Sequence, residues 1–236
     1  MIANAALLIL ALAAQDPAPS QAPAPEAKPT PDGPVIALET SAGTIEIGLY
    51  ATKAPLSTRN VMRYVKSGYY AGTTFHRVIP NFMIQGGGMD AKMEEKQPVL
   101  AAVRNEAKNG LLNTRGSVAL ARTNEPHSAT AQFFINLKDN PLLDFGTSRD
   151  GWGYAVFGEV LSGMEVVDAI AAVPTTRMGV HENVPLKPVV IKAVKVISEP
   201  PPAPAVAPAS KPSGAARPAG SSAKPVARAT PKPKGR

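Results

Sequence analysis

The chain has 236 residues, 25 of them proline, and contains no cysteine, which excludes disulfides, zinc–thiolate sites and thiol catalysis. Its net charge of +7 has one origin, because seven bases and no acid lie beyond Glu199 while the rest of the chain is neutral. The high pI therefore describes the C-terminal tail and gives no information about the partners of a folded domain.

The N-terminus begins with a short apolar run over residues 2–14 that ends in small residues. This pattern predicts a secretory signal peptide over residues 1–14, too short to span a bilayer comfortably. No basic residue precedes the run, and an uncleaved apolar anchor remains the alternative. We expect a periplasmic or secreted protein rather than a cytoplasmic one.

Proline divides the remaining chain into three parts. Residues 15–34 hold seven prolines without apolar periodicity and are predicted to form a semi-rigid linker. Residues 35–198 are long enough to bury the core of a single domain. Residues 199–236 are rich in proline, alanine and bases, and we expect a disordered tail.

The basic tail has two interpretations. It is either a solvating tail or a segment that adheres to an anionic envelope surface. Its seven charges come without aromatic residues, so we do not expect specific nucleic-acid recognition.

The first half of the domain is predicted to start with a hairpin. Residues 35–40 and 44–49 are β-type runs on either side of a glycine-containing loop. Pro55 then opens a helix that Gly68 ends. The stretch 75–88 follows as two short extended runs that Pro80 and Asn81 interrupt.

The second half adds further strands and one helix. We predict strands over residues 117–121, 133–137, 154–160 and 189–197, and a short helix over residues 164–173. Many short strands with two brief helices and no alternation of strand and helix indicate a mainly β protein built as a closed antiparallel barrel.

The stretch 75–88 carries the residues of a candidate ligand-binding surface. If its turn folds the two runs together, Arg77, Phe82, Met83 and Gln85 line one concave surface. A guanidinium beside an apolar pocket, without a cysteine or a Ser–His pair, indicates polarisation of a bound group rather than covalent attack. His76 points to the opposite face, which favours a structural role. Three scattered histidines without cysteine predict no metal site, and we expect no cofactor.

Three separate motifs, in order, resemble the cyclophilin family of peptidyl-prolyl isomerases: residues 75–87, residues 131–136 and residues 156–160. Residues 121–132 and 151–154 resemble the bacterial branch in particular. The resemblance covers residues 35–198. It implies a closed eight-stranded antiparallel barrel capped by two α-helices, with the site on its outer surface and isomerase activity on proline-containing polypeptides.

The resemblance also assigns roles to single residues. Arg77 would donate to the prolyl nitrogen, and Gln85 with the main chain at Arg122 would hold the substrate backbone. Gln132 would orient Arg77 or the substrate. The implied substrate-binding residues are Phe82, Met83, Ala121, Arg122, Phe134, Phe145 and Tyr154.

Two of these positions depart from the family. Phe145 stands where many members have tryptophan, and Tyr154 where many have histidine. Since that tryptophan promotes cyclosporin binding in many members, we expect weaker inhibition by cyclosporin. A monomer is expected. The alternative function is a chaperone or adaptor that binds proline peptides with little turnover.

Overall fold

The computed structural model describes residues 28–98 and 100–199. The predicted signal peptide, most of the predicted linker and the predicted tail beyond Glu199 lie outside this part of the chain. Within the described ranges, no helix is both long enough and apolar enough to cross a bilayer.

The described chain contains ten strands and two α-helices, with two single 3₁₀ turns at Ala107–Asn109 and Pro141–Leu143. The strands are β1 (Val35–Thr40), β2 (Thr44–Leu49), β3 (Arg77–Ile79), β4 (Met83–Gly86), β5 (Ser117–Leu120), β6 (Phe133–Asn136), β7 (Val156–Ser162), β8 (Thr175–Met178), β9 (His181–Pro185) and β10 (Ile191–Ser198). The helices are α1 (Pro55–Lys66) and α2 (Met164–Ala171).

Eight strands form one antiparallel sheet in the order β10-β1-β2-β7-β5-β6-β4-β3. These are the eight strands that the sequence predicts, and the mainly β fold with two helices is confirmed. The pairing of β4 with β6 places residues 75–88 beside residues 131–136, the second of the three motifs that resemble the cyclophilin family. This pairing positions the candidate site.

The expectation of full closure is too strong. In the described chain, β3 and β10 are the edges of the sheet and share no ladder. An isolated bridge, Thr74 with Val190, and three backbone hydrogen bonds join the segment before β3 to the residues at and just before the start of β10. The Ile191 amide donates to the Thr73 carbonyl at 2.7 Å, and the amides of Gly72 and Phe75 donate to the carbonyls of Ile191 and Val189, both at 2.9 Å. Because β3 spans only three residues and Pro80 follows it, this strand offers too little backbone to continue the ladder.

The interior of this half-barrel is filled by side chains. Strand alternation turns Ile36 and Leu38 inward, and helix α1 adds Tyr64, which is fully buried. A void lined by Ile36, Leu38 and other interior residues measures about 10 Å³, at the lower limit for one water molecule. A ligand therefore has to bind on the outside of the sheet.

A second hairpin, β8–β9, is absent from the sequence-based prediction. Gly179 makes its turn with φ of +61°, and β8 is mostly exposed. The hairpin does not alternate apolar and polar residues because it buries little, and alternation is the pattern by which strands are recognised.

Residues 28–34, which the sequence assigns to the linker, pack onto the barrel. The Gly33 amide donates to the Leu49 carbonyl at 2.8 Å, and the Tyr50 hydroxyl oxygen lies 2.9 Å from the Pro29 carbonyl oxygen. Lys28 forms an ion pair with Glu159 at 3.0 Å. Residues 28–34 therefore pack with the folded part of the chain that the structure describes.

Candidate active site

The β3–β4 hairpin builds the polar end of the site. Its register pairs Arg77 with Gln85, so both side chains leave the same face of the sheet. Asn81 allows the tight connection by adopting φ of +58°, a conformation that asparagine tolerates better than most residues. Arg77 is exposed, and Gln85 is half-buried.

A groove of about 110 Å³ lies on this outer face. Met83 and Phe134 form its buried floor, and Phe82 is half-buried beside them. The ring of Phe134 meets the ring of Tyr154 edge to face, with centroids 5.6 Å apart. The complete lining is Arg77, Phe82, Met83, Gln85, Ala121, Arg122, Phe134, Leu143 and Tyr154.

A row of amides supports the guanidinium. Arg77 donates to Gln85 Oε1 over a long 3.4 Å, and Gln85 Nε2 donates to Gln132 Oε1 at 3.0 Å. Among the described residues, the bond to Gln85 is the only hydrogen bond of the Arg77 guanidinium. Its other N–H groups are therefore free to donate to a ligand in the groove that Arg77 lines. Gln132 does not line the groove itself, but it binds Gln85, which does, and fixes the orientation of the Gln85 side chain.

Gly88 makes room for that row. A Cβ atom on Gly88 would lie 2.4 Å from Cδ of Gln132, closer than carbon atoms can approach. A larger residue at position 88 would therefore displace the Gln132 side chain, which gives the third glycine of residues 75–88 a local reason.

Arg122 supports the opposite wall through its side chain. That side chain is 3% exposed, its guanidinium stacks 4.5 Å from the centre of the Tyr154 ring, and it pairs with Asp150 at 2.5 Å. Burial raises the pKa of Asp150, but hydrogen bonds from Arg122, the Trp152 amide and Ser148 outweigh burial and lower it to about 2. The wall is therefore held by a charged pair that persists at neutral pH.

The structure places Phe145 outside the groove, contrary to the sequence-based assignment. Its ring is 41% exposed, with Lys108 Nζ 5.7 Å from the ring centre. Leu143 lines the groove instead, because the turn at Pro141–Leu143 and the Tyr154 amide, donating to the Leu143 carbonyl at 2.8 Å, direct it inward. No sequence pattern distinguishes Leu143 from its neighbours.

His76 lies next to Arg77 but faces away from the groove. It is 6% exposed, and burial lowers its pKa to about 4, helped by the nearby His181 and Arg77. A neutral, buried imidazole on the other face cannot exchange protons with a ligand in the groove. In the part of the chain that the structure describes, no cluster of three or more His, Asp or Glu residues could hold a metal ion.

Three larger cavities lie elsewhere in the described chain. One, of about 570 Å³, borders Tyr50 and Glu159, where the Tyr50 hydroxyl donates to the Glu159 carboxylate at 2.7 Å. A second, of about 330 Å³, borders His76 and Leu186, and a third, of about 410 Å³, borders Arg59 and Arg63. Among these cavities of the described chain, only the 110 Å³ groove is lined by residues 77–85 together with Phe134, and it is the candidate active site.

Comparison with known proteins identifies the family of the chain. Residues 35–196 match the family model described as cyclophilin type peptidyl-prolyl cis-trans isomerase/CLD. A peptidyl-prolyl cis-trans isomerase of Acinetobacter baylyi is 56% identical over 164 residues, which cover 70% of this chain and 86% of the relative. Peptidyl-prolyl cis-trans isomerase B of Escherichia coli is 50% identical over 163 residues, covering 69% and 99%.

Solved structures show the same fold. A cyclophilin-type isomerase of Cryptosporidium parvum, crystallised in the presence of the dipeptide Ala-Pro, aligns with a TM-score of 0.58 at 23% identity. The alignment covers 70% of this chain and 99% of that structure. A cyclophilin of Hirschia baltica aligns with a TM-score of 0.57 at 24% identity, covering 73% and 77%.

Proposed function

Since this chain belongs to the cyclophilin family and is a peptidyl-prolyl cis-trans isomerase acting on proline-containing polypeptides, we propose that Arg77 drives its reaction by donating a hydrogen bond to the prolyl nitrogen. The observation that carries this proposal is the exposed guanidinium with free donors beside an apolar groove. No bond is made or broken in the substrate, so the reaction needs no nucleophile.

The chemistry supports a donor at this place. Rotation about the X–Pro bond faces a barrier of about 18–20 kcal/mol because amide resonance is lost in the twisted state. In that state the prolyl nitrogen becomes pyramidal and regains a lone pair. A donor aimed at the nitrogen therefore stabilises the twisted state more than either planar isomer.

One hydrogen bond is not enough. A charge-assisted bond contributes about 1.5–3 kcal/mol, whereas an acceleration of order 10⁵ requires about 7 kcal/mol. We assign the remainder to the groove, where Phe82, Met83 and Phe134 hold the proline ring away from water. Gln85 and the main chain at Ala121 and Arg122 hold the peptide on either side of the rotating bond.

Gln132 acts through Gln85 in this proposal. Its Oε1 accepts from Gln85 Nε2, which leaves Gln85 Oε1 facing Arg77. The guanidinium therefore keeps one orientation while the substrate rotates, and little reorganisation is needed in the twisted state. Tyr154 contributes the edge of the groove, supported from below by Arg122.

The test compares the full chain with its Arg77→Ala variant on a short Ala-Pro peptide. We expect kcat/KM to fall by about 10- to 200-fold, matching the loss of one charge-assisted bond. Arg77→Lys is the matched control, since it keeps the charge without the planar fork. Equal activity of wild type and Arg77→Ala would refute the role of Arg77, and peptide binding without turnover in the wild type would indicate an adaptor.

We further propose that residues 1–14 direct export, so that the enzyme acts on folding proteins of the envelope. We also propose that it acts as a monomer. The support is the apolar run ending in small residues and the bacterial origin of similar isomerases. Fractionation of cells that produce the full chain tests the location, and sedimentation equilibrium tests the monomer. Recovery only from the cytoplasm would contradict export.

The basic tail is proposed to adhere to anionic envelope surfaces. Its seven bases lie in a stretch without acids. We expect the full chain to bind vesicles containing phosphatidylglycerol at low salt and to dissociate at high salt. Binding that salt does not weaken would refute an electrostatic role for the tail.

A further inference from the structure

The loop that borders the groove exposes two large aromatic side chains. Phe145 is 41% exposed and Trp152 is 42% exposed. They stand on either side of a backbone hydrogen bond in which the Gly146 amide donates to the Gly151 carbonyl at 3.0 Å. We call Phe145 and Trp152 the aromatic rim.

The aromatic rim is close to the groove along the chain. Leu143 and Tyr154, two residues from Phe145 and Trp152, both line the groove, and the Tyr154 amide donates to the Leu143 carbonyl at 2.8 Å. The Arg122 guanidinium, 4.5 Å from the centre of the Tyr154 ring, also donates to the Gly153 carbonyl at 3.0 Å. The loop that carries the rim therefore starts and ends at the wall of the groove.

The loop that carries the rim is firmly anchored. The Asp144 carboxylate accepts from the Asn113 amide at 2.7 Å, and Asn105 donates to the Gly153 carbonyl at 3.0 Å. The Trp152 ring meets the ring of His127 edge to face, with centroids 5.0 Å apart. The exposure of the rim is thus a property of an ordered loop, and its rings are presented in fixed positions.

Ordered, exposed aromatic rings are well suited to binding. Tryptophan and other aromatic residues dominate the energetics of peptide and protein interfaces, because they bury a large area at a low cost in side-chain entropy. The hydrogen bonds that anchor this loop come from Asn105, Asn113 and Arg122, and the two rings contribute none of them. The exposure of the rings is therefore not a requirement of the fold of the loop. Contact with a further ligand would account for the exposure.

The substrate itself is the ligand that reaches this place. A polypeptide that binds with its proline in the groove extends up to about 3.3 Å per residue beyond it. We propose that the aromatic rim binds an apolar or aromatic side chain of the substrate, about two to four residues from the proline in the groove. This inference rests on the proposed function and adds a preference for unfolded chains with an aromatic residue close to proline.

The experiment uses three peptides with the same Ala-Pro centre: a short peptide, a longer one with phenylalanine three residues to either side of the centre, and a matched longer one with glycine there. Isomerisation by the full chain and by Trp152→Ala is followed by exchange NMR. Ile197→Ala is the control, since Ile197 is 51% exposed on β10, a strand that contributes nothing to the groove.

We expect the wild type to prefer the phenylalanine peptide over the glycine peptide by about tenfold in kcat/KM, the factor that 1.4 kcal/mol provides. Trp152→Ala should abolish that preference, and Ile197→Ala should keep it. The short peptide reports on the catalytic groove alone, so wild-type inactivity towards it would refute the proposed function rather than the rim. Equal use of the two longer peptides by the wild type, or an unchanged preference in Trp152→Ala, would overturn the inference.

Fluorescence gives an independent readout, because Trp152 is the only tryptophan in the chain. Titration with the phenylalanine peptide should change its emission with saturation, in the wild type and in Arg77→Ala alike, while the glycine peptide leaves it unchanged. A change that follows protein concentration without peptide would instead identify a second copy of the chain as the occupant and overturn the inference.

Discussion

The interior of the half-barrel and the groove on its outer face share the same strands but differ in how they treat charge. His76 and Arg77 are adjacent in sequence; the first is buried and held neutral, and the second is exposed and permanently charged. The interior is filled, whereas the groove keeps hydrogen-bond donors free. Stability and activity are therefore assigned to opposite faces of one sheet, and substitutions can separate them.

The largest effect is expected in the interior, at Ile135 on β6. This side chain is fully buried, although its neighbour Phe134 faces the groove. Ile135→Ala should lower the free energy of unfolding by about 2–5 kcal/mol through lost burial and a residual cavity. Urea denaturation measures this, with the exposed Ile197→Ala as control, and a cost below that of the control would contradict a rigid interior.

The next effect concerns His76 and pH. Burial lowers its pKa from 6.5 to about 4, so between these values the unfolded chain binds more protons than the folded one. The contribution of His76 to the free energy of unfolding should therefore be fully present above pH 6.5. It should decrease as the pH drops towards 4, by up to about 3 kcal/mol. Denaturation of wild type and His76→Asn across this range isolates the contribution, because carboxylates titrate in both proteins. Parallel curves would refute it.

A smaller effect, on activity alone, is expected at Gly88. Gly88→Ala would push Gln132 away, because the new Cβ overlaps its side chain. We expect kcat/KM on a short Ala-Pro peptide to fall by about tenfold, as for Gln132→Ala, with the double variant no worse than either single one. Additive losses would show that Gly88 acts by a route other than Gln132.

The smallest effect is expected for the stability of Arg77→Ala. Arg77 is exposed and makes one long hydrogen bond to Gln85. The free energy of unfolding should change by less than about 0.5 kcal/mol, whatever happens to activity. Thermal and urea denaturation test this, and a loss above 2 kcal/mol would remove the separation between the two faces.

Sequence reasoning succeeded where local patterns decide the structure. The eight sheet strands follow from short runs of β-type residues bounded by turn residues, and α1 begins at Pro55 as predicted because proline suits the first helical turn. The structure also brings Arg77, Met83 and Gln85 onto one surface, since a tight turn between two strands leaves few other arrangements.

It failed where tertiary contacts decide. Leu143 and Phe145 are two apolar residues in an irregular loop, and only the contact with Tyr154 selects Leu143 for the groove. The arm at residues 28–34 is held by carbonyl groups and by the Lys28–Glu159 pair, across a separation that no periodicity reveals. The β8–β9 hairpin buries too little for its pattern to show.

The short edge strand β3 has a consequence for an enzyme whose substrates are polypeptides. An open sheet edge offers unpaired amides and carbonyls to which an extended polypeptide can add as a new strand, and such capture leads to aggregation. Here β3 spans three residues, carries Arg77 and stops before Pro80, while the opposite edge, β10, exposes Lys192 and Lys195. Both edges thus carry features that discourage an extended polypeptide substrate from adding to the sheet as a further strand.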